Sequence, residues 1–71
     1  MTKQQADTLV NLAYSFIISG DADDERMTVE MAAYTINEWR KEGNELADIE
    51  GLTPENFAAA WNEVYDYFHN R

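Results

Sequence analysis

Apolar residues recur with helical spacing in the first part of the chain, from about Thr2 to Ser19. Drawn at about 100° per residue, one face of this stretch is apolar. Its members are Ala6, Leu9, Val10, Leu12, Ala13, Phe16 and Ile17. Thr2 and Gln5 have the spacing of a capping box, and Gly20 suits the left-handed residue that closes a helix. The pattern therefore predicts a first helix over residues 2–19.

A second helix is predicted from about Thr28 to Glu42, where the same helical period returns. Thr28 can cap its start, and Gly43 can end it. We expect its buried stripe to consist of Val29, Ala32, Ala33, Ile36 and Trp39. Basic residues in the last turn, Arg40 and Lys41, suit the negative end of the helix dipole.

The third helix has the strongest start signal, because Thr53 can cap it and Pro54 fits its first position. We expect the helix to fray near Asn70, and Trp61 to face inward near Phe16 and Ile36. The continuous apolar face comprises Phe57, Ala60, Trp61, Val64, Tyr65 and Phe68. The opposite, polar face carries Asn62, Glu63 and Asp66.

Between the second and third helices, Leu46, Ile49 and Leu52 recur every three residues. This spacing predicts a single helical turn or a short fourth helix. No stretch of the chain alternates in the manner of a strand. We therefore predict an all-α fold, a small three-helix bundle with a short extra helical turn between helices 2 and 3. Residues 1–71 would form a single acidic helical domain.

The charge balance is strongly acidic, because 14 Asp and Glu residues against 5 Lys and Arg give a formal net charge of −9. This balance disfavours binding to nucleic acid and to anionic membranes, which need cations on the protein. It favours fast association with basic partners. The polar N-terminus MTKQQADT has no signal-peptide character, and no apolar stretch is long enough to span a bilayer. We therefore expect a cytoplasmic protein.

Nine carboxylates fall into two groups along the chain. The first acidic band is Asp21, Asp23, Asp24 and Glu25. The second acidic band is Glu42, Glu45, Asp48, Glu50 and Glu55, with no cation in residues 42–55. Carboxylates one helical turn apart have Cβ atoms about 5–6 Å apart, the same order as the phosphate spacing of a nucleic acid strand. The bands are thus either a nucleic-acid mimic aimed at a basic protein or an ordinary solvated surface.

The first acidic band also resembles the start of a calcium loop. Asp21, Asp23 and Glu25 match the first, third and fifth ligand positions of an EF-hand. The sixth position, Gly in that loop, is Arg26, and the twelfth, Glu in that loop, is Ala32. Because the tight turn and the bidentate ligand are both missing, we assign no residue to a metal. A metal-dependent regulator is the least favoured hypothesis.

Catalytic chemistry has little support in the sequence. The single histidine, His69, lies at the end of the third helix, where its cationic form stabilises the helix dipole. The chain has no cysteine and no glycine-rich phosphate loop. We expect no catalytic residue and no cofactor, and hence no enzyme. Direct DNA binding by a helix-turn-helix is disfavoured, because about ten residues separate helices 2 and 3 and the outer face of helix 3 is acidic.

Four apolar residues fall on the polar sides of the first two helices, namely Tyr14, Ile18, Met31 and Tyr34. Aromatic and methionine side chains are typical anchors of interfaces. We therefore predict that these residues, together with the two acidic bands, bind a partner. The alternative is that a neighbouring helix or the 44–52 segment covers them.

In general style, as a tiny, acidic, cysteine-free helical domain, the chain resembles phage and mobile-element proteins that inhibit host defence or DNA-processing enzymes. Antirestriction and anti-CRISPR proteins are of this type. The resemblance is not one of residues and carries no functional position over to this sequence. The leading hypothesis is a non-enzymatic inhibitor that occupies a basic surface of a nucleic-acid-handling protein. The alternative is a small adaptor or regulatory module that binds a partner, or a second copy of itself, through its exposed apolar residues.

Overall fold

The computed structural model describes residues 1–20 and 25–69 of the chain. Three α-helices follow one another in these ranges, α1 (Lys3–Ser19), α2 (Val29–Lys41) and α3 (Pro54–His69). A short 3₁₀ helix, Glu45–Asp48, lies between α2 and α3. No strand occurs within these ranges, so the predicted all-α bundle and its extra helical turn are confirmed.

Side-chain caps fix the starts of the three helices. Thr2 Oγ1 accepts a hydrogen bond from the Gln5 backbone N–H at 3.1 Å, and Gln5 Oε1 accepts one from the Thr2 N–H at 3.0 Å. This reciprocal pair is the predicted capping box. Thr28 and Thr53 cap α2 and α3 by accepting from the N–H three residues later. Gly20 closes α1 in the left-handed conformation, as predicted.

The central helix of the bundle is α3, because it packs against both α1 and α2. Contacts along α1 and α3 advance in the same chain direction, whereas contacts along α2 and α3 run in opposite directions. For α1 and α3 the contacting pairs are Gln5–Gly51 and Tyr14–Phe68. For α2 and α3 they are Met27–Asn62 and Trp39–Phe57. The three helices therefore run up, down and up.

The core lies where the inner faces of the helices meet. Its buried members are Leu9, Ala13, Ala32, Ile36, Ala47, Phe57, Ala58, Ala60, Trp61 and Val64. Aromatic rings connect all three helices, since Phe16 of α1 lies 5.8 Å from Trp39 of α2 and 6.5 Å from Trp61 of α3 between ring centroids. Trp61 faces inward near Phe16, as predicted.

Two details of the predicted core are wrong. Val29, expected in the buried stripe of α2, is exposed, because Met27 packs against the core at this end of the helix in its place. Ala58 is buried although it lies outside the predicted face of α3. The buried face of α3 is broader than one stripe because two helices pack against it.

The predicted fraying near Asn70 falls outside the described residues. None of the described helices is long and apolar enough to cross a membrane.

Candidate partner-binding surface

Residues 25–27, which lead from the first acidic band into α2, are fixed to α3 by hydrogen bonds. Trp61 Nε1 donates to the carbonyl oxygen of Glu25 at 2.9 Å. Asn62 pairs with both backbone groups of Met27: its Oδ1 accepts from the N–H at 2.7 Å, and its Nδ2 donates to the carbonyl oxygen at 2.9 Å. The prediction that Asn62 belongs to the outer polar face of α3 is therefore wrong, because this segment runs over it.

Arg26 forms an ion pair with Asp66 of α3. Its guanidinium is thus directed towards α3. Asp66 was also predicted on the outer acidic face of helix 3. It serves instead to hold the chain that enters α2, and Glu55 and Glu63 remain as the exposed carboxylates of that helix.

Three of the four residues of the first acidic band, Asp21, Asp23 and Asp24, lie outside the described residues. Glu25 is described and is exposed. Because Trp61 holds the Glu25 carbonyl, the C-terminal end of this band is attached to a core tryptophan.

All members of the second acidic band are exposed. They follow the chain from the C-cap of α2, through the 3₁₀ helix and the turn after it, to the first turn of α3: Glu42, Glu45, Asp48, Glu50 and Glu55. None of them forms an ion pair with another residue in the described ranges, where the ion pairs are Arg26–Asp66 and Lys41–Glu38. The band is therefore a run of exposed carboxylates, close in sequence, that no ion pair among the described residues neutralises.

The backbone beneath the second acidic band is well anchored. The Asn44 side chain accepts a hydrogen bond from the Leu46 N–H at 2.9 Å and so caps the 3₁₀ helix. Ala47 in this turn is buried, and the turn packs against α2. The carboxylates on either side of Ala47 are consequently presented from fixed backbone positions.

The four apolar residues predicted on polar sides, Tyr14, Ile18, Met31 and Tyr34, are all exposed. Tyr14 and Ile18 lie on α1, and Met31 and Tyr34 lie on α2. Tyr14 is partly covered by Phe68, whose ring centroid lies 5.6 Å from its own. One exposed aromatic residue was missed, Tyr67, which is 65% exposed. The sequence could have indicated this exposure, because Tyr67 lies four residues after Glu63, at the edge of the apolar face of α3.

A surface groove of about 350 Å³ runs between α1 and α3. Val10 and Tyr14 line it from α1, and Glu63, Val64 and Tyr67 line it from α3. The groove is thus lined by Tyr14, which was predicted to bind a partner, and by Tyr67 and Glu63, which were not.

The positions considered for a calcium loop have other structural roles. Ala32, at the twelfth position of the motif, is completely buried in the core, and Arg26, at the sixth, pairs with Asp66. In residues 1–20 and 25–69 no group of three or more acidic or histidine side chains could hold a metal ion. His69 stacks on Tyr65 of its own helix, with ring centroids 4.0 Å apart.

Comparison of the chain with known protein families, with curated proteins and with solved structures found no match. The charge, exposure and contacts of its own residues carry the functional argument. The features that stand out are the second acidic band, the anchored segment 25–27, and the groove between α1 and α3.

Proposed function

We propose that this protein is a non-enzymatic inhibitor that acts in the cytoplasm by occupying a basic surface of a nucleic-acid-handling protein. The observation that carries the proposal is the second acidic band, whose carboxylates are all exposed and lack ion-pair partners among the described residues. A surface of this kind attracts a basic surface over a distance and accelerates their encounter.

Inhibition would follow from competition with nucleic acid. A groove that receives phosphates is lined by Lys and Arg, and carboxylates can pair with the same side chains. Because Asn44 and Ala47 fix the turn beneath the band, little backbone order has to be gained on binding. Such preorganisation reduces the entropic cost of association.

A second candidate function is that of an adaptor or regulatory module that binds through apolar contacts. It is favoured by the exposure of two large side chains, Tyr34 at 68% and Ile18 at 58%. Salt dependence separates the two functions. Charge-driven association slows steeply as salt rises, whereas association through an apolar surface does not.

The proposal is tested by capturing the partner of the tagged full-length chain from its native host and identifying it by mass spectrometry. The purified partner is then loaded with its fluorescent nucleic acid and titrated with the chain. We expect the chain to displace the nucleic acid stoichiometrically, and less effectively at higher salt. A partner that binds the chain while it retains its nucleic acid would contradict the proposal.

A further inference from the structure

The groove between α1 and α3 has a chemical character that neither acidic band shares. Val64 is buried and Val10 is half-buried, which makes the inner part of the groove apolar. Tyr14 and Tyr67 are exposed on either side of it, at 44% and 65%. The carboxylate of Glu63 is exposed and forms no ion pair with another described residue.

Phe68 supports both tyrosine rings. Its ring centroid lies 5.6 Å from that of Tyr14 and 5.4 Å from that of Tyr67, the latter in an edge contact with an interplanar angle of 73°. Phe68 also packs against the buried core. The two tyrosines are therefore positioned by a packed aromatic residue before any ligand arrives.

We propose that this groove binds an arginine side chain of the basic partner, an inference that rests on the proposed function. The aliphatic part of the arginine would pack against Val10 and Val64. Its guanidinium would lie against a tyrosine ring and pair with the Glu63 carboxylate. A planar guanidinium stacks on aromatic faces and pairs with carboxylates in two parallel hydrogen bonds, which the ammonium of lysine does not do.

The size of the groove and the charge of the chain support this occupant. A volume of about 350 Å³ is near the lower end of the roughly 300–1,000 Å³ typical of ligand pockets, which suits one side chain better than a helix. A second copy of the chain is a poor occupant, because each copy carries a net charge of −9 and like charges repel.

The probe for this site is a short Gly/Ser peptide that contains arginine, and its matched control is the same peptide with lysine. Each is titrated into the isotope-labelled full-length protein, and NMR records the ring signals of Tyr14 and Tyr67 and the methyl signals of Val10. We expect saturable shifts at these residues, with a Kd for the arginine peptide about threefold lower than for the lysine peptide, because only the planar guanidinium stacks on the ring and pairs with a carboxylate in two parallel hydrogen bonds.

Two substitutions assign the effect to the groove. Glu63→Gln should raise the Kd of the arginine peptide by about threefold, the effect of losing an exposed ion pair. Glu30→Gln removes an exposed carboxylate from α2, outside the groove, and should leave that Kd unchanged. The backbone amide spectrum of each variant checks that its fold is intact.

Equal affinity for the two peptides, or a Kd that Glu63→Gln does not change, would overturn the arginine site. Shifts confined to residues 42–55 would also overturn it, yet would leave the proposed function intact. Conversely, a captured partner that retains its nucleic acid contradicts the proposed function without affecting the peptide titration, so the two failures are distinguishable.

Discussion

At the scale of single residues, Trp61 connects the core to the segment that follows the first acidic band. Its ring lies 6.5 Å from that of Phe16 and 6.0 Å from that of Phe57 between centroids. Its Nε1 donates to the Glu25 carbonyl oxygen. One side chain therefore stabilises both the packing of the helices and the path by which the chain enters α2.

Replacing Trp61 should unfold most of the protein. Trp61→Ala removes a large buried side chain and should cost about 3–5 kcal/mol, which is about the whole stability of a domain this small. Thermal unfolding followed by circular dichroism measures the effect. The control is Tyr34→Ala, a change at an exposed aromatic residue that should stay within about 0.5 kcal/mol of the parent. A cooperative transition of Trp61→Ala close to that of the parent would refute the packing of Trp61.

Asn62 makes a separate contribution through its two hydrogen bonds to Met27. Asn62→Ala leaves a part-buried N–H and carbonyl without their partner, and should reduce the free energy of unfolding by about 1–3 kcal/mol. Asn37→Ala is the matched control, because Asn37 is exposed in the middle of α2 and alanine is the better helix former. Urea denaturation of both variants gives the comparison. Equal stability of the two would show that the Asn62 contacts add nothing.

The burial of Trp61 could be predicted from the sequence, and the role of Asn62 could not. Trp61 lies on a helical stripe with Phe57 and Val64, and a periodic pattern within one helix shows that directly. The bonds of Asn62 join residues separated by 35 positions, and nothing within α3 reveals what passes over its polar face.

At the scale of elements, capping residues explain why the predicted helix ends agree with the structure. A Thr side chain pairs with a free N–H at the start of each helix, and the sequence displays such residues openly. The wrong prediction that Val29 is buried has a different cause. The helical period describes only residues within α2, so it cannot reveal that Met27, which precedes α2, packs against the core at this end.

Two features favour glycine at position 51, in the turn before α3: the backbone conformation and a close neighbouring side chain. Its φ is +87°, and a Cβ placed there would lie 3.2 Å from the side chain of Gln5, which forms the capping box of α1. Gly43 has a similar φ of +70° with open space around it. Alanine at either position would therefore have a strained backbone conformation, but only at position 51 would its Cβ also crowd a neighbouring side chain.

Gly51→Ala should consequently be more destabilising than Gly43→Ala. The left-handed conformation should cost each variant about 1–2 kcal/mol, and Gly51→Ala should lose more because Gln5 must move. The difference in urea midpoint between the two variants isolates the contact between α1 and the turn. Identical midpoints would contradict the close approach of Gln5 to Gly51.

At the scale of the whole molecule, negative charge is distributed unevenly. Two basic residues are engaged locally, Arg26 with Asp66 and Lys41 with Glu38 at 3.6 Å. The second acidic band has no such counterpart among the described residues. Its charge could be predicted, because its members are close in sequence. The groove between α1 and α3 could not, because Val10 and Tyr14 meet Glu63 and Tyr67 only after the helices pack.

The central claim is that the position of the negative charge in the second acidic band, more than its amount, determines recognition. Two variants that each remove two carboxylates test it. Glu45→Gln/Asp48→Asn neutralises part of the band, and the control Asp7→Asn/Glu30→Gln neutralises two exposed carboxylates outside it. Both variants have the same net charge, so their overall repulsion or attraction is matched.

The decisive measurement is the association rate of parent and variants with the captured partner at a low and a moderate salt concentration. We predict that Glu45→Gln/Asp48→Asn associates more slowly at low salt and loses part of the salt dependence. Asp7→Asn/Glu30→Gln should keep a rate close to that of the parent at both concentrations. Equal rates for the two variants at both salt concentrations would contradict the claim that the second acidic band is the recognition surface.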